Sequence, residues 1–381
     1  MRKIVMLILL AISLLLTGCG VTEINKSSIP LGFGTDYKDN RIIFTSQLAN
    51  PSSPEKSAGQ GPQFTVVSAD GATISEAARK ISLSTSQTPL WSHSSLLLFS
   101  ESFARHDMAL FMDFAARNRF VRKNIPVVIT HNTTPEEVFN VKPLVSPYTA
   151  TVIRDILQTQ ESQIGIYTSL SLLELIDRFA VPGIEPAVPM ISIDKSSQPE
   201  KLKLDGMAIF KGRKMVGILN ETESRGYRFM RPKMIQGGLF TIPSPLDPKS
   251  KVTLELSRSQ TKITPIIQGN NIKMKIEVKA EGNFYEQSGS GNLFIPEVFR
   301  QLEQSANREI AKQITQCIDK VQVLDSDIFG WGKLLHSADP QLWKEMSSQW
   351  DQIFPTIEPE IKVKYEIRRS YLTDTSFVFR E

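Results

Sequence analysis

The sequence predicts an α+β, or mixed α/β, multi-domain protein whose C-terminal domain is an antiparallel sheet packed with a long helix. Strand-like and helix-like segments alternate between residues 29 and 194. Two long strands with alternating apolar residues follow, from Lys251 to Pro265 and from Ile272 to Phe284. After Pro296 a long helix carries one apolar stripe to about Val321. Antiparallel strands packed under such a helix form an α+β domain.

In the first half, runs of β-branched and aromatic residues predict strands, and apolar residues three and four apart predict helices. Strands are expected at 42–48, 64–67, 96–99, 126–130 and 187–193, and helices at 74–83, 103–117, 150–160 and 169–179. Gly32-Phe33-Gly34 resembles the start of a dinucleotide-binding loop, but Tyr37 stands where G-x-G-x-x-G requires its third glycine. We interpret this segment as a turn or a strand end.

The second half starts with a hairpin pattern, in which residues 207–210 and 215–219 flank Lys211-Gly212-Arg213. Helix starts are predicted at Asn220, which has Glu223 three residues later, and at Asp339-Pro340. The helix after Pro340 carries Trp343, Met346, Trp350 and Ile353 on one face and ends at Pro355, and a last strand covers 361–367.

The amino terminus predicts a lipoprotein signal peptide over residues 1–18. Arg2 and Lys3 precede a thirteen-residue apolar stretch, Ile4 to Leu16. A bilayer-spanning helix needs about 20 apolar residues, so this stretch fits a cleaved signal better than a membrane span. Leu16-Thr17-Gly18-Cys19 reads as a lipobox, in which the thiol of Cys19 takes the lipid. An ordinary secreted protein with an incidental cysteine is the alternative.

Composition indicates a folded protein without nucleic-acid partners. Removing the signal peptide leaves 363 residues with 42 basic and 40 acidic side chains, and no dense basic run. The breaker-rich residues 195–200 suggest a boundary between a mixed α/β domain at 19–194 and an α+β domain at 204–372. Once Cys19 is lipidated, Cys317 is the only free thiol, so no intramolecular disulfide can form.

Catalytic, metal and cofactor motifs are not found in the sequence. The four histidines stand in no metal-ligand spacing, and Ser288-Gly289-Ser290-Gly291 lacks the G-x-S-x-G pattern. A metal site assembled by the fold is the alternative to surface or core histidines. Cys317 is expected in the core. The aromatic group of Trp331, Trp343 and Trp350 could form a ligand cage or partner surface, but we favour a core, with Gly330-Trp331-Gly332 as a turn that buries its indole.

Several motifs together resemble one family. They are Asp327 to His336, Pro340 to Trp343, Trp350 to Phe354 and the strand 361–367; Asp205 to Phe210 and Asn220 to Gly226; and, in the first half, Leu31 to Asp36, Ser75 to Ala77, Met112 to Phe114, Arg117 and Arg122. In their order along the chain, and together with the lipobox, they resemble the Ger(x)C family, the lipoprotein C subunits of spore germinant receptors. The chain departs from the family after Cys19, where Gly20-Val21-Thr22 replaces the usual Trp-Asp and basic residues.

The resemblance implies a non-enzymatic subunit, anchored through Cys19 on the outer face of the spore's inner membrane. Such subunits act with a multi-spanning A subunit and an integral-membrane B subunit in the response to nutrients. It implies several α/β domains, the last a sheet with a long helix, and no small-molecule site on particular residues. A free-standing solute-binding lipoprotein and an envelope hydrolase are the alternatives; the second lacks a visible nucleophile–base or metal set.

Overall fold

The computed structural model describes residues 27–50, 63–85, 87–143, 145–269 and 271–369. The signal peptide and Cys19 lie outside these ranges, so the lipobox remains a prediction. Within them, none of the helices combines the length and apolar character that crossing a membrane requires. Two sheets with helices around them make up the described chain, which confirms the predicted fold class.

The first sheet has nine strands in the order β3-β2-β1-β5-β6-β7-β8-β9, with β4 beside the start of β1. Its strands are β1 (Ser27–Lys38), β2 (Arg41–Ala49), β3 (Phe64–Gly71), β4 (Thr88–Pro89), β5 (Leu97–Ser100), β6 (Val127–Thr130), β7 (Ala187–Asp194), β8 (Lys201–Lys211) and β9 (Lys214–Leu219). The central pairs from β1 through β5 and β6 to β7 are parallel, and both ends are antiparallel hairpins.

Helices cover both faces of this sheet. They are α1 (Ile74–Lys80), α2 (Glu101–His106), α3 (Ala109–Arg117), α4 (Pro135–Asn140), α5 (Thr149–Gln163) and α6 (Leu172–Ala180). Alternate residues of β5 show the two layers, since Leu97 and Phe99 pack with α2, α3 and α6 whereas Leu98 packs with α4 and α5. The apolar core on the side of α4 and α5 continues without a break into the core of the second sheet.

The second sheet has five strands in the order β10-β12-β13-β14, with β11 also on β12. Its strands and helices are β10 (Ile235–Gln236), β11 (Leu239–Pro243), β12 (Lys251–Gln268), β13 (Asn271–Gln287), β14 (Glu358–Arg369), α7 (Glu221–Phe229), α8 (Pro296–Val323), α9 (Trp331–Ala338), α10 (Pro340–Met346) and α11 (Trp350–Ile353). The sheet is antiparallel as predicted, except that β14 pairs in parallel with β13. A parallel pair needs a long crossover, which α8 to α11 supply.

Three local predictions need correction. Gly32-Phe33-Gly34 lies inside β1 instead of at a turn, because α4 and α5 pack directly on the strand: a Cβ on Gly34 would stand 2.5 Å from Cβ of Pro135. The helix predicted over 103–117 is two helices, since Asp107 is extended (φ −168°) and its carboxylate accepts from the N–H of Ala109 at 2.8 Å. The helix after Pro340 breaks into α10, a 3₁₀ turn and α11.

The hairpin of β8 and β9 joins the first sheet. Strand β8 pairs antiparallel with β7, with Ile191 opposite Leu204. The predicted boundary between residues 194 and 204 therefore falls at the turn between two paired strands. The nine-stranded sheet takes strands from both sides of this boundary.

Candidate functional site

The residues that most often carry chemistry are dispersed over the described chain. His93 and His336 are exposed, the ring of His106 stacks on Tyr37 with centroids 3.7 Å apart, and Nδ1 of His131 lies 3.1 Å from Oδ2 of Asp205. In the ranges that the structure describes, no three histidine, cysteine or acidic side chains are grouped to hold a metal. No described serine, threonine or cysteine bonds to His131 to complete a nucleophile–base pair. Cys317 is fully buried, as predicted, and desolvation raises the pKa of its thiol.

The motif from Asp327 to Gly332 is built around one buried carboxylate. Asp327 is 3% exposed and accepts from the backbone N–H of Trp331 at 3.0 Å, from that of Gly332 at 2.8 Å and from the indole Nε1 of Trp350 at 3.2 Å. Burial outweighs these donors and raises the pKa of Asp327 to about 6. The carboxylate thus fixes the start of α9 and ties it to α11.

The two glycines of this motif are needed for different reasons, one for its backbone angles and the other for a close backbone contact. Gly330 has φ 74°, in the left-handed region that side chains disfavour. Gly332 lies against Gly183 in the loop before β7: a Cβ on either residue would stand 2.7 Å from backbone of the other. The N–H of Lys333 donates to the carbonyl of Gly183 at 3.0 Å. The two chain segments therefore touch backbone to backbone.

The tryptophans of this region lie in the core. Trp331 is fully buried, and its ring centroid lies 5.4 Å from those of Phe329 and Phe354. Trp343 and Trp350, each 6% exposed, form an edge-to-face pair 5.3 Å apart. The prediction of a buried indole in an aromatic core is confirmed. The predicted turn is confined to Gly330, since Trp331 and Gly332 already belong to helix α9.

Polar contacts join the same region to the first sheet. The guanidinium of Arg178 donates to the carbonyls of Glu185 at 3.1 Å and of Ile328 at 3.2 Å. The hydroxyl of Ser326 donates to the carbonyl of Phe210 in β8 at 2.6 Å. The carboxylate of Glu185 accepts from the N–H of Gly212 at 3.0 Å, and burial raises its pKa to about 7. We call this set of contacts, from residues 178–185 and 210–212 to residues 325–354, the Asp327 joint.

A second set of contacts links α5 to the second sheet through α7. Arg228 is 2% exposed, and its guanidinium donates to the carbonyls of Glu161, Gln236 and Gly237 at 2.8 to 3.0 Å. Desolvation lowers the pKa of Arg228 to about 10. Gly226 faces α8, where a Cβ would stand 2.1 Å from the carbonyl oxygen of Gln313. The predicted capping box of Asn220 and Glu223 opens α7 and is confirmed.

Arg178, Glu185 and Arg228 were not identified from the sequence. Arg178 and Arg228 bind carbonyl oxygens, and Glu185 binds a backbone N–H, so none of them depends on a second side chain at a recognisable spacing. Their burial depends on which loops meet across the two sheets. Arg178 and Arg228 thus bind carbonyl oxygens across the two halves of the chain, whereas the motif carboxylate of Asp327 binds groups within the second half.

Comparison with known proteins matches both halves of the chain. Residues 20–193 match the family described as "Spore germination protein N-terminal domain", and residues 205–371 match "Spore germination B3/ GerAC like, C-terminal". Spore germination protein KC of Bacillus subtilis (strain 168) is 24% identical over 97% of each chain. Spore germination protein GerQC of Bacillus cereus is 22% identical over 97% of this chain and 99% of that one.

A solved structure shares the fold. The crystal structure of the GerBC protein covers 88% of this chain and 96% of its own, with a TM-score of 0.55 and 19% sequence identity. The two family models together span most of the chain and place it in the class of spore germination proteins. The chain belongs to the GerAC-like, or Ger(x)C, family of C-type germinant receptor subunits.

Proposed function

We propose that this chain is the lipid-anchored C subunit of a nutrient germinant receptor and acts by contact with the integral-membrane A and B subunits. Its place is the outer face of the spore's inner membrane, with the lipid on Cys19. One observation carries the proposal: the motif residues Asp327, Gly332 and Trp350 lie in the Asp327 joint, where their polar groups bind one another. Arg178, from outside the motifs, binds the carbonyl of Ile328 in the same joint. A chain that uses its motifs in this way serves as a scaffold, so we also propose that it catalyses no reaction.

The same joint distinguishes the subunit from a free-standing solute-binding lipoprotein. Ligand binding by the latter usually closes two lobes about a hinge. In this chain β7 and β8 pair across the predicted boundary, and Arg178 and Ser326 bond the first sheet to the segment before α9. These contacts hold the two halves in one arrangement, which supports a role in assembly over a role in ligand-driven closure.

Deleting the gene is expected to abolish germination with the nutrient that the receptor serves. A subunit that acts by contact disables the response when it is lost, while the later steps of germination stay intact. Deletion spores should therefore germinate normally with exogenous calcium dipicolinate, and germination is followed by loss of optical density and release of dipicolinic acid. Normal nutrient germination of the deletion strain, in a background without paralogous receptors, would falsify the proposed function.

The Cys19→Ala variant tests the anchor separately. Without the thiol no lipid can be attached, so the precursor is expected to stay uncleaved or to leave the membrane fraction. Nutrient germination should weaken, because the lipid raises the local concentration of the subunit beside its membrane partners. Labelling with a radioactive fatty acid measures attachment. A Cys317→Ala variant, which changes the other cysteine of the chain, is the matched control and should label normally.

A further inference from the structure

A groove of about 980 Å³ opens beside α1, α3 and β4 on the first sheet. Arg79, Arg117 and Arg119 line it together with the apolar side chains of Leu110 and Phe120. We call these five residues and the surface around them the arginine groove. Arg79 also lines a shallower depression that reaches Leu83, so the surface extends past the end of α1.

The charge of the arginine groove is positive. Its two acidic lining residues are already paired, Asp107 with Arg213 at 3.3 Å and Asp113 with Arg117 at 2.9 Å. Arg79 and Arg119 form no ion pair with any residue that the structure describes, and both are exposed. Two free guanidinium groups at one surface suit phosphate oxygens, which they bind through paired N–H donors.

Large apolar side chains stand exposed beside these arginines. Leu83 is 84% exposed, Phe120 54% and Leu110 41%. The guanidinium of Arg119 lies 4.9 Å from the centroid of the Phe120 ring, so a cation and an aromatic ring form one unit at the surface. Aromatic and leucine side chains that enter the boundary of headgroups and acyl chains, flanked by arginines, are typical of peripheral membrane surfaces.

The amino-terminal end of the described chain lies at the rim of this groove. Ser27 and Ser28 pair in parallel with Thr88 and Pro89 of β4, and both β4 residues line the groove. Ser27 follows Cys19 by eight residues. At 3.3–3.6 Å per residue, these residues span about 29 Å at most. A lipid on Cys19 would therefore keep this rim close to the membrane surface.

We propose that the arginine groove docks on anionic phospholipid headgroups of the membrane that carries the subunit. Arg79 and Arg119 bind lipid phosphates, and Phe120 with Leu83 and Leu110 enters the interface. The orientation that follows rests on the lipid attachment at Cys19 proposed above, whereas the affinity of the surface for anionic lipid does not. The lipid tether and the arginine groove are then two weak membrane attachments that together fix one orientation of the subunit.

Vesicle sedimentation of the chain beginning at residue 20, without lipid, tests the surface itself. Every described strand and helix lies within this chain, and circular dichroism with thermal unfolding checks the fold of each variant. We expect binding to vesicles of phosphatidylglycerol and phosphatidylcholine in equal parts and little to phosphatidylcholine alone. The double variant Arg79→Glu/Arg119→Glu should bind the anionic vesicles about tenfold more weakly or worse, and Phe120→Ser several-fold more weakly.

Matched controls lie on the second sheet and its helix. Arg308→Glu reverses an exposed arginine of α8, and Tyr285→Ser removes an aromatic side chain 53% exposed in β13. Both should bind like the unchanged chain. No preference of the unchanged chain for anionic vesicles, or equal losses in groove and control variants, would overturn the proposal.

A third outcome points to a different occupant. If the groove variants keep their vesicle affinity but fail to co-purify with the receptor's A and B subunits, the groove binds protein, and the membrane proposal is wrong. The fatty-acid labelling of Cys19 is read in the lipidated chain, so failure of the groove and failure of the anchor give separate results.

Discussion

Replacing Trp331 by alanine is expected to lower the free energy of unfolding by about 3–5 kcal/mol, the usual cost of removing a buried aromatic side chain. The ring is fully buried between Phe329 and Phe354. The carboxylate of Asp327 holds the backbone at residues 331 and 332 and the nearby indole of Trp350, so the cavity left behind has little room to collapse. Urea denaturation followed by circular dichroism measures the change. Unchanged stability with loss of a ligand or partner would show instead that Trp331 belongs to a binding surface.

Two conservative variants separate packing from hydrogen bonding in the same cluster. The indole Nε1 of Trp331 has no hydrogen-bond partner among the described residues, whereas that of Trp350 donates to Asp327 at 3.2 Å. Trp350→Phe leaves the buried carboxylate without one donor, and a hydrogen bond to a charged group contributes about 1.5–3 kcal/mol. Trp331→Phe should therefore be the milder of the two changes. The reverse order would contradict the arrangement around Asp327.

The Glu185→Gln variant is expected to become more stable than the unchanged chain as the pH rises. Burial raises the pKa of Glu185 from 4.5 to about 7, so the folded state holds a proton that the unfolded state has already released. The stability that the protonated carboxyl contributes is complete below pH 4.5 and is lost as the pH rises through 7. Glutamine does not titrate, and its side-chain oxygen can still accept from the N–H of Gly212.

The difference in unfolding free energy between Glu185→Gln and the unchanged chain should be near zero at pH 4.5 and reach about 1–3 kcal/mol at pH 8, allowing for partial exposure of the side chain. Urea denaturation at several pH values measures it. The exposed Glu345, changed to Gln, is the matched control for the substitution itself. A difference that stays constant with pH would mean that Glu185 is ionised at pH 5.

Local patterns in the sequence predict the elements whose own residues determine them. The apolar stripe of α8, the capping box of Asn220 and Glu223 and the Asp339 cap of α10 all match the structure. In each of these the relevant partners lie within a few turns of the same helix. The burial of Trp331 was also predictable, because glycines on both sides leave backbone freedom at a large apolar residue.

Features that depend on distant segments were not predictable in the same way. Taken alone, Gly32 and Gly34 suggest a turn. In the structure they are strand residues whose missing side chains leave room for Ala150 of α5 and Pro135 of α4. Alternation in the last strand predicts which side chains are buried, but it does not give the direction in which the strand pairs. The contacts of Arg178 and Arg228 with backbone carbonyl oxygens produce no periodic pattern in the sequence.

The pairing of β7 with β8 also sets an order in time. A growing chain that has reached residue 193 carries a sheet whose last strand has an open edge, and such edges recruit other chains. Synthesis proceeds at about 5–20 residues per second, so this edge waits for seconds until residue 219 completes the hairpin. The nine-stranded sheet is thus complete only when residues 201–219, which lie beyond the first half, have been made.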